Sequence, residues 1–170
     1  MFILNINSKT KKIWISIFSF LLLSASIINI FLNNINYING TISNKILLFL
    51  FIIVLIIPIF LILNLFLSSI LSIIIIIINN TFSFKNFYVS LLYYNSINFF
   101  ISAVCAFLII EYPMLTTPIL IISYILNLII LYLEKESLKK YASISNIATI
   151  LVMILQILLI TYFFIVRNLS

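Results

Sequence analysis

The stretch ILLFLFIIVLIIPIFLILNLFLSSILSIIIIII, from Ile46 to Ile78, carries no charged side chain over 33 positions, and its polar residues are Asn64, Ser68, Ser69 and Ser72. A helix crosses the hydrocarbon of a bilayer with roughly 20 apolar residues, at about 1.5 Å per residue. The run is therefore too long for one upright span and short for two spans joined by a turn. Whether it crosses once or twice decides on which side of the membrane everything after it lies.

The rest of the chain has the same character. Its 170 residues are 65% hydrophobic and 7% charged, where a soluble domain carries about 25% charged residues. No polar segment is long enough to bury a core of its own. The expected fold class is all-α, a polytopic transmembrane helix bundle forming a single domain over residues 1–170. Apolar blocks place spans at about 13–32, 46–78, 87–110, 114–133 and 147–166. Lys9, Lys11 and Lys12 precede the first block, and Ser24-Ala25-Ser26 within it has the form of a signal-peptidase site. Apolar residues continue past that triplet to Leu32, so an uncleaved first span is expected, with Trp14 at its boundary as an aromatic anchor. Asn33 to Lys45 is a polar connector, and Glu134 to Ser145 (EKESLKKYASIS) a charged one. Leu138, Tyr141, Ala142 and Ser145 share a helical face there, which predicts a short amphipathic helix lying in the interface.

Loop charges decide the topology. With one crossing at 46–78 and the N-terminus inside, Lys9, Lys11, Lys12, Lys85, Lys135, Lys139 and Lys140 lie inside, and Lys45 and Arg167 outside: seven against two. With two crossings the inner face keeps Lys9, Lys11, Lys12 and Arg167, four against five. Cytoplasmic loops carry the excess of lysine and arginine, so five spans are expected, with the N-terminus inside and the C-terminus outside. A 33-residue helix is about 50 Å long. The second span should accordingly tilt, or kink at Pro58, and its Ile73 to Ile78 end should pack against other protein.

Absences limit the chemistry. The chain has no histidine and no aspartate, one glycine (Gly40), one cysteine (Cys105) and three acids, Glu111, Glu134 and Glu136. Glycine-rich phosphate loops, a serine with a histidine base and the usual zinc sets cannot be assembled from these. No enzyme activity, catalytic residue, cofactor or metal site is expected. The net charge of +6 sits at the ends of apolar runs, where topology and anionic headgroups explain it without nucleic acid. Heavy use of Ile, Asn, Lys, Phe and Tyr fits an AT-rich bacterial genome, and Asn39-Gly40-Thr41, a glycosylation-type triplet, carries little weight in so asparagine-rich a chain.

The remaining candidates are polar residues inside spans. Asn64, Ser68 and Ser72 repeat at four-residue intervals on the second span; Asn95, Asn98, Ser102 and Ala106 share a face of the third; Ser123 and Asn127 share one on the fourth; Gln156 lies in the fifth. They form either interhelical packing contacts or a polar path, and packing is favoured because no ionisable group is expected at mid-membrane. Lys135, Lys139 and Lys140 are candidates for inner-face lipid or partner contact, and Glu111 for an outer-boundary helix end.

Two segments, Thr81-Phe82-Ser83-Phe84-Lys85-Asn86-Phe87 and Leu91-Leu92-Tyr93-Tyr94-Asn95-Ser96, together with the basic link Glu134 to Ala142, resemble the Yip-domain family of five-span membrane proteins. The resemblance covers about Ile46 to Val166 and implies a cytosolic N-terminus and a long second span. The loop glycines of bacterial members are replaced by Asn79 and Asn80, and no proline follows Tyr94 and Asn95. The eukaryotic motifs tied to small GTPases are absent, so no such partner is implied. The expected role is a non-enzymatic protein of the cell membrane whose partners are lipid, other membrane proteins or further copies of itself. It would be a membrane subunit or accessory component of an assembly such as an exporter. The alternative is self-protection against a membrane-active peptide. A stand-alone transporter is disfavoured by the lack of intramembrane charge and repeats.

Overall fold

The computed structural model describes residues 9–34, 42–78 and 82–169. Within these the chain forms five long helices: α1 (Lys9–Asn34), α2 (Ile42–Ile78), α3 (Phe84–Glu111), α4 (Thr116–Tyr141) and α5 (Asn146–Leu169). Four helical stretches, Thr10–Leu32, Lys45–Ile78, Phe84–Glu111 and Pro113–Lys140, are long and apolar enough to span a membrane. The chain is thus a helical membrane protein. Asn79, Asn80 and the Asn39-Gly40-Thr41 triplet lie outside the described residues.

Contacts between the helices fix their directions. Lys12 and Ser16 of α1 share a groove with Lys85 and Val89 of α3; further along, Phe18 and Leu22 line another with Tyr93 and Ile97, and Phe18 stacks on Tyr93 at 5.9 Å between ring centroids, so α1 and α3 run parallel. Phe31, near the end of α1, meets Phe49, near the start of α2, at 4.6 Å. Phe60 of α2 meets Phe99 of α3 at 5.6 Å, and further along Leu71 and Ile75 join Phe87 and Leu91 in one buried cluster. α2 therefore runs once along the bundle, antiparallel to both neighbours. It is a single helix of 37 residues, about 55 Å long. Pro58 lies inside it, where the missing N–H leaves the Val54 carbonyl without its helical donor.

The centre of the bundle is α3. It packs against α1, α2 and α4, and buries Phe87, Val89, Ser90, Leu91, Leu92, Tyr94, Ser96, Ala103 and Cys105. Each surrounding helix offers one stripe at alternating three- and four-residue steps. On α2 the stripe is Ile57, Asn64, Ser68, Leu71 and Ile75, all buried. On α1 it is Ser19, Leu23, Ser26 and Ile27. Small residues at such positions let helices approach closely when lipid, not water, surrounds them. The hydroxyls of Ser19 and Ser26 bond back to the carbonyls of Ile15 and Leu22, so neither needs a partner on another helix.

The Ile73 to Ile78 end of α2 packs on the bundle through Ile75, fully buried in one cluster with Phe87, Leu91, Leu138 and Ala148, while Ile73, Ile76, Ile77 and Ile78 are exposed. Lipid chains are as apolar as isoleucine, so those exposed side chains suit hydrocarbon. One expectation is corrected here: residues 134–141 do not form a separate interfacial helix. They continue α4 without a break, and Glu134, Ser137, Leu138 and Ala142 are buried. The inward stripe Leu120, Asn127, Leu131 simply extends through Glu134 and Leu138.

The turn joining α4 to α5 locks the end of the bundle. The Ala142 N–H caps the helix on the Leu138 carbonyl, while the Ala142 carbonyl accepts from the Ser83 N–H at 3.1 Å. The Ser83 hydroxyl in turn caps the start of α3. Ser143 then takes a left-handed φ of 57°, the usual way for a chain to leave a helix. The Ser145 hydroxyl receives the Ala148 N–H and starts α5. A left-handed conformation costs a side chain with a Cβ about 1–2 kcal/mol, and a β-branched one more. Ser143→Val, which adds a β-branch to the Cβ cost that serine already bears, should lower stability in detergent, and Ser143→Gly should raise it by up to about 1–2 kcal/mol. Thermal unfolding of the two variants checks both.

Candidate functional site

Two clusters of polar residues stand out in the bundle interior. The first joins α2 to α3. The Asn95 amide donates from Nδ2 to Asn64 Oδ1 at 2.6 Å, and Asn64 Nδ2 donates to the Phe60 carbonyl at 2.8 Å. Asn64 can do both because its carbonyl and amide ends point different ways. Below it the Ser68 hydroxyl donates to the Asn64 carbonyl at 2.6 Å and Ser72 to the Ser69 carbonyl at 2.7 Å. Those two serines satisfy themselves on their own helix and supply small volume to the seam.

The second cluster joins α4 to α5. Gln156 Nε2 donates to Glu134 Oε1 at 2.9 Å, both residues buried. Glu134 is only 1% exposed and its other oxygen, Oε2, has no partner among the described residues. The Ser137 hydroxyl, one turn on, is buried in the same condition. Ser90 on α3 is fully buried with its hydroxyl also unpartnered. From the Ser83–Ala142 bond, an antiparallel register puts Ser90 at the level between Ser137 and Glu134. Nearer the other end of these helices, Tyr124 and Thr161 share a hydroxyl contact of 3.3 Å.

Of the residues expected from sequence, Asn64 and Asn95 are brought together directly, while Ser68 and Ser72 line the same seam. Asn98 and Ser102 are half-buried further along α3, and Asn98 Oδ1 has no partner among the described residues. Ser123 and Asn127 are half-buried on α4. Gln156 is buried, and its partner is a carboxylate instead of another amide. Lys135, Lys139 and Lys140 sit at the end of α4, half-buried, half-buried and exposed in that order. The Lys135 ammonium lies 5.8 Å from the centre of the Tyr132 ring, near the outer limit of a cation–π contact. Glu111 is exposed at the end of α3.

Glu134 is the residue that sequence reasoning misplaced. Its neighbours Lys135, Glu136, Lys139 and Lys140 give the segment the look of a loop. A signal was nonetheless present: Leu120, Tyr124, Asn127, Leu131, Glu134 and Leu138 continue one alternation of four and three residues. A buried carboxyl with a single hydrogen bond is costly to keep in a core, and removing its partner leaves it worse off than replacing both.

Comparison with known protein families, with curated proteins and with solved structures finds no match to this chain.

Chemically, both clusters are suited to holding helices in register. A double-mutant cycle with Asn64→Leu and Asn95→Leu should return a coupling of about 0.5–2 kcal/mol, the range for interhelical hydrogen bonds in lipid. Steric-trap or denaturant unfolding in bicelles measures it, and additive effects would place Asn64 and Asn95 outside one shared interaction.

Proposed function

We propose that this chain is a non-enzymatic, multi-pass protein of the cell membrane that acts through helix–helix contact, as a membrane subunit or accessory component of an assembly such as an exporter. It crosses five times, with the N-terminus inside and the C-terminus outside, in the layout that the Yip-domain resemblance implies. The observation that carries this reading is the outer surface of α2. Its polar stripe is taken up by α3, and the rest of the helix exposes Leu47, Leu50, Phe51, Val54, Ile62, Leu63, Phe66, Ile73 and Ile77. This long apolar face, on the side of α2 away from α1, α3 and α5, is free to bind a second helix. Such association needs only packing, because the hydrophobic effect does not act between helices already in lipid.

Charge supports the orientation. The starts of α1 and α3 and the end of α4 lie together at one end of the bundle, which carries Lys11, Lys12, Lys85, Lys135, Lys139 and Lys140. Cytoplasmic faces collect such residues. The non-enzymatic part of the proposal rests on the lack of histidine and aspartate in the chain.

A photo-crosslinking residue at Phe66, on the outer face, should yield a discrete protein adduct in native membranes, and the same residue at Ile75, in the seam, should not. Lipid adducts alone at Phe66 would contradict the proposal. In a Cys105→Ala background, Lys85→Cys should resist a membrane-impermeant maleimide added outside intact cells; ready labelling would overturn the orientation.

A further inference from the structure

At the lysine-rich end, α1 and α3 do not close on each other. Between them runs a groove of about 460 Å³ lined by Lys12, Ile13, Ser16, Ile17, Phe20, Lys85 and Val89. Volumes of about 300–1,000 Å³ are typical of clefts that hold small ligands. Two features make this one specific. Among the described residues its charged lining is two lysines, one from each helix, with no carboxylate. Its walls are otherwise apolar, and the one hydroxyl, Ser16, donates back to the Lys12 carbonyl at 2.9 Å, leaving Lys12 and Lys85 as the charged donors for a ligand.

The arrangement is amphipathic along the helix axis. Lys12 lies in the first turn of α1 and Lys85 in the first turn of α3. Ile13, Ile17 and Phe20 follow at steps of four and three along α1, so the apolar wall runs inward from the charged mouth. Trp14, two residues beyond Lys12, is 66% exposed, at the level where aromatic rings mark the boundary of headgroup and hydrocarbon. Basic pockets between helices at a membrane face recognise anionic headgroups.

We propose that the groove between α1 and α3 is a binding site for one anionic phospholipid, its phosphate held between the Lys12 and Lys85 ammonium groups and an acyl chain lying along Ile13, Ile17 and Phe20. Charge complementarity selects the headgroup, and the apolar wall selects a lipid over a free anion. The site bridges two parallel helices that are not consecutive in the chain, so the lipid completes their contact at this end. It is distinct from Lys135, Lys139 and Lys140, which lie at the end of α4.

Native mass spectrometry of the full-length protein, titrated with phosphatidylglycerol and with phosphatidylcholine of matched chains, tests this. The wild type should retain one phosphatidylglycerol in preference to phosphatidylcholine. K12Q/K85Q should weaken that binding about 25-fold, from the known worth of two lysines at an anionic surface. K12R/K85R and K135Q/K139Q/K140Q should keep it. A further variant, I17W, retains both lysines and fills the apolar part of the groove; it too should lose the lipid. Equal binding of the two lipids by the wild type, unchanged affinity in K12Q/K85Q or I17W, or an equal loss in K135Q/K139Q/K140Q would overturn the assignment.

Discussion

Inside a bilayer a polar side chain has no water to bond with, and that constraint arranges this molecule. Most amides and hydroxyls therefore bond on their own helix or to a neighbour, and the hydroxyls of Ser90 and Ser137, which do neither among the described residues, are buried away from the hydrocarbon. The helix with most of them is α3, with Ser90, Tyr94, Asn95, Ser96, Asn98 and Ser102, and it is the helix the others surround. The most apolar helix, α2, is at the edge. The order is the reverse of a water-soluble core, where the most apolar element goes to the middle.

The same constraint gives each seam its form. Most serines in the spans return their hydroxyls to a carbonyl one turn back and then serve only as small residues. Longer side chains reach across. Asn95 does so to Asn64, and Gln156 to Glu134. These two bonds tie α2 to α3 and α4 to α5. The end of the bundle is fixed by backbone instead, through the Ser83–Ala142 bond and the left-handed Ser143. Hydrogen bonds thereby join the helices at few points, and large apolar surfaces are left to lipid or to other helices.

How much of this could be read from the chain alone follows from the same physics. The helical class and the stripe of Asn64, Ser68 and Ser72 were legible, because spacing on a helix is local. That the stripe meets Asn95 was not, since either asparagine could equally have faced another molecule. The position of α3 at the centre was hidden by its composition: hydropathy ranks how well a helix suits lipid, and the central helix is the one that suits it least. Ile73 to Ile78 looked too apolar for water, and that end packs on the bundle through Ile75 while its exposed isoleucines suit hydrocarbon. Glu134 was obscured by the charges around it, although the alternation from Leu120 to Leu138 ran through it. The groove at Lys12 and Lys85 joins residues 73 positions apart, and no local pattern links them.

The topology depends most on α2 being one helix that passes the bundle once. A run of this length and composition could also fold back on itself, which would reverse the side on which every later segment lies. Spin labels at Leu47→Cys and Ile77→Cys, two exposed positions, in a Cys105→Ala background in nanodiscs, distinguish the cases by pulsed electron resonance. Thirty residues of continuous helix predict a separation of about 45 Å. A helical hairpin would bring the labels to about 10–20 Å, the spacing of packed neighbouring helices plus the label arms, and that distance would contradict the account.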